Sequence, residues 1–389
     1  MAVTMYESGT MFVPIRSGTP CPICGKRDGR CSEFYLDHKL LYVSCKYEVS
    51  DEPSGLPGWY KHRIGRENSL KERELKVIPD VKESEVTDEI LELRDNVYTD
   101  LRAIIKKHIP SGLYEDDKAD LTRRGLSDET IERFGCFSMP KSSHKVWSDC
   151  GSYQMQLVTY INKKLYDKYG NDLLKVPGFM KIKGKKGDFI TLKSKMKKPG
   201  DKKLSDIRGY FISFINYNEL SAAMQIRLSE PIFDEKGKLI RYFWLSSKNA
   251  SSGSPIDCYT PSIVKRDDIL LVGEGALKMK ITSERLGYKS VAGAGVNNYN
   301  NLMKEIQMLE IRDGIKYKII LAYDMDKYEI VQIINDLEYY PVLEAEKKTI
   351  ELLKQYNHDN IAVAEWDPTA GKGIDDSTQN GAKLYYRVV

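Results

Sequence analysis

Short apolar runs that end in carboxylates are the feature that most constrains the fold of this chain. Three such runs occupy residues 269–273, 319–323 and 361–364. The acids that follow them are Glu274, Asp324, Asp326, Asp367, Asp375 and Asp376. Aliphatic runs of this length, bounded by turn-forming residues, are typical of buried parallel strands. In open α/β sheets the carboxyl ends of such strands line the ligand crevice, so these acids are expected at one sheet edge.

Several carboxylates at one sheet edge repel one another unless cations lie between them. Carboxylate oxygens are ligands that Mg²⁺ prefers, and Mg²⁺ sites of this kind usually handle phosphates. The pattern therefore predicts a Mg²⁺ site for phosphate chemistry.

The composition excludes several classes of protein. A chain of 389 residues is long enough for two or three domains, and 41% hydrophobic with 30% charged residues indicates a soluble globular protein. A net charge of +4 argues against a histone-like polycation. No apolar run approaches the roughly 18 residues of a membrane span, and the N-terminus lacks the features of a signal peptide. We therefore expect a cytoplasmic protein with no membrane partner and with reduced thiols.

The N-terminal cysteines have the spacing of a zinc site. The four candidate ligands are Cys21, Cys24, Cys31 and Cys45. A Cys-x-x-Cys pair followed by glycine turns the backbone so that both thiolates face one ion, and four thiolates make a closed, structural site. His38 could replace one thiolate, and a set of buried free cysteines is the alternative. The other cysteines lack partners at ligand spacing and are expected in the core: Cys136, Cys150 and Cys258.

Basic residues are concentrated between residues 177 and 210. This segment includes Lys181, Lys183, Lys185, Lys186, Lys195, Lys197 and Lys198. Such a run is usually a solvated loop or hairpin, but beside a metal site for phosphates it favours a groove that follows a nucleic-acid backbone. A β-meander after it presents Arg227, Arg241 and Lys248. Arg123 and Arg124 precede a helix capped by Ser127, and they are either solvated or in contact with phosphate.

The order of these segments predicts the domain organisation. We expect a β zinc-ribbon domain over residues 1–55, a charged linker over 56–95, a basic α+β core over 96–260 and an α/β domain over 261–389. The last segment alternates strand and helix, which is typical of a Rossmann-like parallel sheet.

The chain resembles the TOPRIM-domain primases, in particular the primase-like proteins of phages, plasmids and integrative elements. The motifs that carry this resemblance are Glu274-Gly275, Asp324-Met325-Asp326, and Gly373-Ile374-Asp375-Asp376. The Cys21-Pro22-Ile23-Cys24-Gly25 motif is similar to the zinc ribbon that precedes the catalytic core of DnaG-type primases. The chain departs from those primases after Glu274-Gly275, where they have a further acid and this chain has Lys278 and Lys280, and at Asp375-Asp376, which replaces an Asp-x-Asp.

The resemblance implies synthesis of short primers on single-stranded DNA from nucleoside triphosphates. It implies that Asp324, Asp326 and either Asp375 or Asp376 hold two Mg²⁺ or Mn²⁺ ions, while Glu274 holds a metal or acts as general base. Arg227 and Lys248 would neutralise the triphosphate, and the zinc ribbon would grip the template. The lysine-rich segment, with Arg123, Arg124 and Arg241, would contact nucleic acid, and a separately encoded replicative helicase is left open as a partner.

Two other functions are compatible with the same residues. TOPRIM folds also occur in metal-dependent nucleases, and fold alone does not decide between hydrolysis and synthesis. A non-catalytic DNA-binding replication module is the third hypothesis.

Overall fold

The computed structural model describes residues 4–5, 10–15, 20–28, 30–36, 39–50, 59–62, 86–184, 187–198, 203–234, 237, 239–328, 332–334 and 337–389. The chain forms two compact units, one of residues 1–81 with 330–340 and one of residues 82–329 with 341–389. Two predicted nucleic-acid contacts, Lys185 and Lys186, lie outside the described residues, as do His38 and most of the predicted linker.

The described strands and helices, in chain order, have the following bounds. The strands are β1 (Thr4–Met5), β2 (Thr10–Pro14), β3 (Ser32–Leu36), β4 (Lys39–Cys45), β5 (Tyr60–His62), β6 (Phe137–Ser138), β7 (Lys145–Trp147), β8 (Gln154–Gln156), β9 (Phe179–Gly184), β10 (Gly187–Leu192), β11 (Lys195–Met196), β12 (Ser205–Asp206), β13 (Gly209–Ile215), β14 (Ser221–Phe233), β15 (Leu239–Trp244), β16 (Asp257–Tyr259), β17 (Arg266–Glu274), β18 (Tyr288–Gly293), β19 (Lys318–Ala322), β20 (Gln332–Ile334), β21 (Leu337–Tyr339), β22 (Ile361–Glu365) and β23 (Tyr385–Val388). The α-helices are α1 (Asp88–His108), α2 (Glu115–Arg123), α3 (Asp128–Phe134), α4 (Leu157–Tyr169), α5 (Ala276–Leu286), α6 (Tyr299–Asp313), α7 (Pro341–Gln355) and α8 (Ile374–Gln379).

The first unit contains a five-stranded sheet in the order β1-β2-β3-β4-β5, with every pair antiparallel. Ser32 pairs with Ser44, so Cys31 and Cys45, their neighbours in the chain, lie side by side. The predicted zinc knuckle is a tight turn closed by a hydrogen bond of 2.8 Å from the Gly25 N–H to the Cys21 carbonyl. Gly25 has a φ of +69°, a conformation that glycine adopts without strain.

In the second unit, residues from 86 to about 250 form an antiparallel sheet, β15-β14-β13-β6, packed against helices. The first helix begins at Asp88, after a Thr87 cap, and therefore inside the range 56–95 that the sequence predicts as linker. The predicted cap of α3 is confirmed, because the Ser127 hydroxyl accepts the Thr130 N–H at 3.2 Å. The predicted burial of Cys150 is wrong: this residue is exposed in the turn between β7 and β8, where Ser148 and Ser152 provide polar surroundings.

The C-terminal half of the second unit is built on a six-stranded sheet in the order β16-β18-β17-β19-β22-β23. The four central strands are parallel, and both edge strands are antiparallel to their neighbours. Alternate residues of β17 point to opposite faces. Leu270 and Val272 pack with α6 and α7, while Ile269 and Leu271 pack with Met279 of α5 and Ile374 of α8. A parallel sheet covered by helices on both faces confirms the predicted α/β class.

Among the described helices, none combines the length and the apolar character needed to cross a bilayer.

Candidate active site and zinc centre

The carboxylates predicted to meet at the sheet edge do come together. Glu274 is the last residue of β17, Asp324 follows β19, and Asp326 lies in the 3₁₀ turn Met325–Tyr328. Asp375 joins them from the first turn of α8. The approach is close: a Cβ at Gly373 would lie 2.6 Å from Asp375 Oδ1 and 3.5 Å from Asp324 Oδ1. A larger residue at position 373 would displace the Asp375 carboxylate from this place.

Two lysines offset part of the negative charge of the cluster. Lys278, in the first turns of α5, forms an ion pair with Asp324, and its Nζ lies 3.7 Å from Glu274 Oε1. Lys372 Nζ lies 2.5 Å from Asp326 Oδ2 and 3.8 Å from Asp324 Oδ2. The cations that the repulsion between carboxylates requires are therefore supplied, in this structure, by ammonium groups.

The pKa directions reflect this dense packing of charge. Burial raises the pKa of Glu274, and the nearby Asp324 adds to the rise, although Lys278 opposes it. Burial also raises the pKa of Asp375, with the Asp376 charge adding to it. Burial alone would lower the pKa of Lys278, but the carboxylates of Asp324 and Glu274 outweigh it and raise that pKa. The carboxylates of the cluster thus stabilise the charged form of Lys278.

Two arginines are joined to the cluster through Asp120. Arg227 Nε donates to Asp120 Oδ2 at 2.8 Å, and Arg124 Nε lies 3.5 Å from the same oxygen. Arg124 Nη1 then lies 3.4 Å from Asp375 Oδ2. Asp120 thereby links β14 to α8 through one network of ion pairs. Sequence reasoning missed Asp120, although its position four residues before Arg124 in a helix is a signal for such a pair.

Arg285 is a second residue that sequence reasoning missed. Its guanidinium donates to the Asp375 carbonyl through Nη1, and to the Arg124 carbonyl at 2.6 Å through Nη2. One side chain from the end of α5 therefore fixes the backbone at both ends of the Arg124–Asp375 ion pair. Burial lowers its pKa, and the charges of Asp375 and Asp376 oppose that shift.

Several predicted site residues lie elsewhere. Asp376 is exposed on α8 while Asp375 is buried, so Asp375 is the member of that pair in the cluster. Asp367 is a helix cap, because its carboxylate accepts the Thr369 N–H at 2.9 Å. Lys248 lies exposed in the loop after β15 and Arg241 is exposed on that strand. Arg123 is 73% exposed and forms an ion pair with Asp120.

The lysine-rich segment forms exposed strands and turns. Lys181 and Lys183 lie on β9, and Lys181 Nζ is 3.3 Å from Asp188 of the paired strand β10. Lys195 lies on β11, with its Nζ 4.0 Å from Asp206 on β12. Lys197 and Lys198 follow β11, and Lys197 is exposed.

The four N-terminal cysteines fit a zinc ion. Their sulfurs all lie within 4.8 Å of one another. The Cys24–Cys31 and Cys31–Cys45 sulfur separations are 3.9 Å and 3.8 Å. A tetrahedron with Zn–S bonds of about 2.3 Å has edges of about 3.8 Å, so the spacing matches. Three of the four residues are buried, as a closed structural site requires.

The carboxylate cluster fits a hard divalent cation less completely. Its donors are all carboxylate oxygens, which suit Mg²⁺ or Mn²⁺. Asp326 Oδ1 is buried, and no hydrogen bond reaches it within the described part of the chain. However, among the described residues no trio of carboxylates converges as closely as the cysteine sulfurs do. The ammonium groups of Lys278 and Lys372 lie among these acids.

The fold and the site together define a parallel α/β sheet with an acidic carboxyl edge, arginines ion-paired to that edge, and a separate four-cysteine centre. No family model matches the chain, and no curated protein matches it. Solved structures do show similarity. The RNA polymerase domain of Mycobacterium tuberculosis primase DnaG, in complex with a double-stranded DNA oligomer, has 14% identity and a TM-score of 0.42, over 72% of this chain and 73% of that chain. A DNA primase domain from Pseudomonas aeruginosa has 12% identity and a TM-score of 0.43, over 76% and 75%. The E. coli primase catalytic core has 14% identity and a TM-score of 0.41, over 71% of each chain.

Proposed function

We propose that the protein is a primase-like nucleotidyltransferase that makes short primers on single-stranded DNA from nucleoside triphosphates. The observation that carries the proposal is the linked array of Asp375, Arg124, Asp120 and Arg227 beside the carboxylates of the sheet edge. Phosphoryl transfer needs a metal-binding acid cluster and, next to it, fixed cations for the phosphate charge. The carboxylates and arginines of this site lie in one network, which supports the proposal.

Each residue of the site has a role in this proposal. Asp324 and Asp326 would hold a Mg²⁺ or Mn²⁺ ion, and Asp375 lies beside them. A bound ion supplies the positive charge that phosphoryl transfer requires. The pKa of Glu274 is raised by burial, which makes its carboxylate a stronger proton acceptor for the 3′-hydroxyl of the primer.

Arg227 would neutralise the triphosphate in this proposal. Its Nη1 donates to the Tyr242 hydroxyl at 2.7 Å and its Nε to Asp120, so the guanidinium is held in place before substrate binds. Preorganised charge of this kind costs no rearrangement during the reaction. Lys248, which is exposed in the loop after β15, is proposed as a second contact to the nucleotide.

The remaining predictions made from the sequence are part of the same proposal. The sheet of β16–β19, β22 and β23 would be a TOPRIM domain, and the four-cysteine centre would hold structural zinc and engage the template. The lysines of β9, of β11 and of the turn after β11, with Arg123 and Arg241, would follow the single strand. The setting would be replication of a phage, plasmid or integrative element, with a separate helicase as a candidate partner.

One observation favours a second function. Lys278 and Lys372 already neutralise Asp324 and Asp326, so a DNA-binding replication module without catalysis is compatible with the same cluster.

A primer-synthesis assay separates these functions. The zinc-loaded protein is incubated with labelled ribonucleotides, Mn²⁺ and a single-stranded template, and template-dependent oligomers are the expected result. Asp324→Asn and Glu274→Gln should each reduce synthesis by about 10²-fold or more, while DNA binding stays nearly intact. Asp367→Asn is the matched control and should retain activity, because Asp367 caps a turn outside the cluster.

Other outcomes have definite meanings. Full activity of both Asp324→Asn and Glu274→Gln would contradict the site assignment. Shortening of the template without new oligomers would indicate a nuclease, and DNA binding with neither reaction would indicate the non-catalytic module.

A further inference from the structure

Lys278 occupies the centre of the carboxylate cluster. Its ammonium contacts Asp324 directly and lies 3.7 Å from Glu274, which are acids from two neighbouring parallel strands. A Cβ at Gly373 would lie 3.3 Å from Lys278 Cε, so the side chain also passes beside the loop that carries Asp375. A positive charge at this position offsets the negative charge of the carboxylates that a divalent ion would otherwise bridge.

We propose that Lys278 is a built-in counter-cation that takes one of the cation positions of this cluster, so that the chain binds one divalent ion fewer than its carboxylates could hold. This inference deepens the proposed function and rests on it for the identity of the site. It replaces the pair of metal ions expected from the sequence by one ion and one lysine.

Charge balance supports a single ion. Glu274, Asp324, Asp326 and Asp375 contribute four negative charges when ionised. The cations in contact with them are Lys278, Lys372 and Arg124. If Lys372 swings away, Lys278, Arg124 and one divalent ion balance the four acids. Two divalent ions with Lys278 still in place would leave an excess of positive charge in a partly buried site, where repulsion is costly.

The two lysines differ in their freedom to leave. The Lys278 side chain is 20% exposed and comes from a regular helix, one turn after Glu274. The Lys372 side chain is 61% exposed and lies in the loop before α8. Lys372 can therefore turn into solvent when an ion binds Asp326, whereas Lys278 is mostly buried and would have to give up its ion pairs with Asp324 and Glu274 to leave.

Mn²⁺ titration by calorimetry of the zinc-loaded full chain tests the inference. Lys278→Gln removes the charge at similar length and should bind one more Mn²⁺ per chain than the wild type. Lys278→Arg keeps the charge and should bind the same number as the wild type. Lys372→Gln is the matched control, and it should also leave the number unchanged because that lysine is free to leave in the wild type.

A second readout covers the case in which Lys278→Gln folds poorly, since it leaves carboxylates facing one another. The melting temperature of this variant should rise more steeply with Mn²⁺ concentration than that of the wild type, because the additional ion binds only the folded state.

The inference and the proposed function fail in different ways. An equal number of Mn²⁺ ions in Lys278→Gln and wild type, or an equal gain in Lys372→Gln, would overturn the role of Lys278. Absence of Mn²⁺ uptake by the wild type would contradict the metal-dependent function. One additional ion in Lys278→Gln would still support the role of Lys278 in that case.

Discussion

Asp120 joins residues that are far apart in the sequence. Its carboxylate accepts from Arg227 on β14 and from the Tyr210 hydroxyl on β13, and it lies beside Arg124. Burial raises its pKa, but the hydrogen bond and charge of Arg227 outweigh burial and hold the pKa at about 2. Asp120 is therefore ionised at all physiological pH values and holds both arginines in fixed positions.

We predict that Asp120→Asn lowers the free energy of unfolding at pH 7 by about 2 kcal/mol, because it removes charge-assisted hydrogen bonds from a half-buried pair of arginines. The folded-state pKa of Asp120 is depressed, so its contribution is present above its ordinary pKa near 4 and is lost as the pH falls towards 2. Urea denaturation should therefore show a difference between wild type and variant that is largest at neutral pH and shrinks below about pH 4.

Asp149→Asn is the control for this prediction. Asp149 interacts with a lysine ammonium and a tyrosine hydroxyl, as Asp120 interacts with an arginine guanidinium and a tyrosine hydroxyl. The side chain of Asp149, however, is 52% exposed. Its replacement should leave the free energy of unfolding nearly unchanged. An Asp120→Asn effect that is equally small, or that does not vary with pH, would show that the network does not stabilise the fold.

At the scale of elements, the strands of the parallel sheet were predictable and the contacts between segments were not. The apolar runs before Glu274 and Asp324 identify β17 and β19 because strands buried on both faces have no polar alternation. The start of α1 at Asp88 was missed because its first turns are charged and resemble the preceding linker. The pairing of Asp120 with Arg227, on elements 107 residues apart, follows from tertiary packing and has no local signal.

The β3–β4 pair and the knuckle turn give a prediction at the same scale. Cys24→Ser should reduce zinc content from one ion per chain to well below one, measured by atomic absorption after dialysis, because a closed four-thiolate site loses a ligand. The sheet of β1–β5 should then lose thermal stability, since metal binding and folding are coupled in small zinc modules.

Cys150→Ser is the matched control for zinc binding. Cys150 is an exposed thiol outside the cluster, so its replacement should leave the zinc content at one per chain. Unchanged zinc in Cys24→Ser would refute the ligand set.

At the scale of the whole molecule, a net charge of only +4 conceals a strongly uneven distribution. Lys183 on β9 and Lys197 after β11 are exposed, whereas the carboxylates of the sheet edge are buried or half-buried and lie beside cations. A polyanion approaching the second unit therefore meets the basic strands at full charge and the acids at reduced charge. Affinity for single-stranded DNA should come mostly from ionic contacts to phosphates, and so should fall steeply with salt.

The last prediction measures this ionic contribution. For single strands, each phosphate contact adds roughly 0.7 to the slope of log affinity against log salt concentration. Replacing Lys183, Lys195 and Lys197 together by Gln should reduce that slope by about 2 in fluorescence-anisotropy titrations of an unstructured oligonucleotide. The control replaces Lys347, Lys348 and Lys354, which are exposed on α7, and should leave the slope unchanged because α7 lies outside the basic segment. Equal reductions in both triple variants would show that DNA responds to net charge alone, and no reduction in the first would place the nucleic-acid path away from β9–β11.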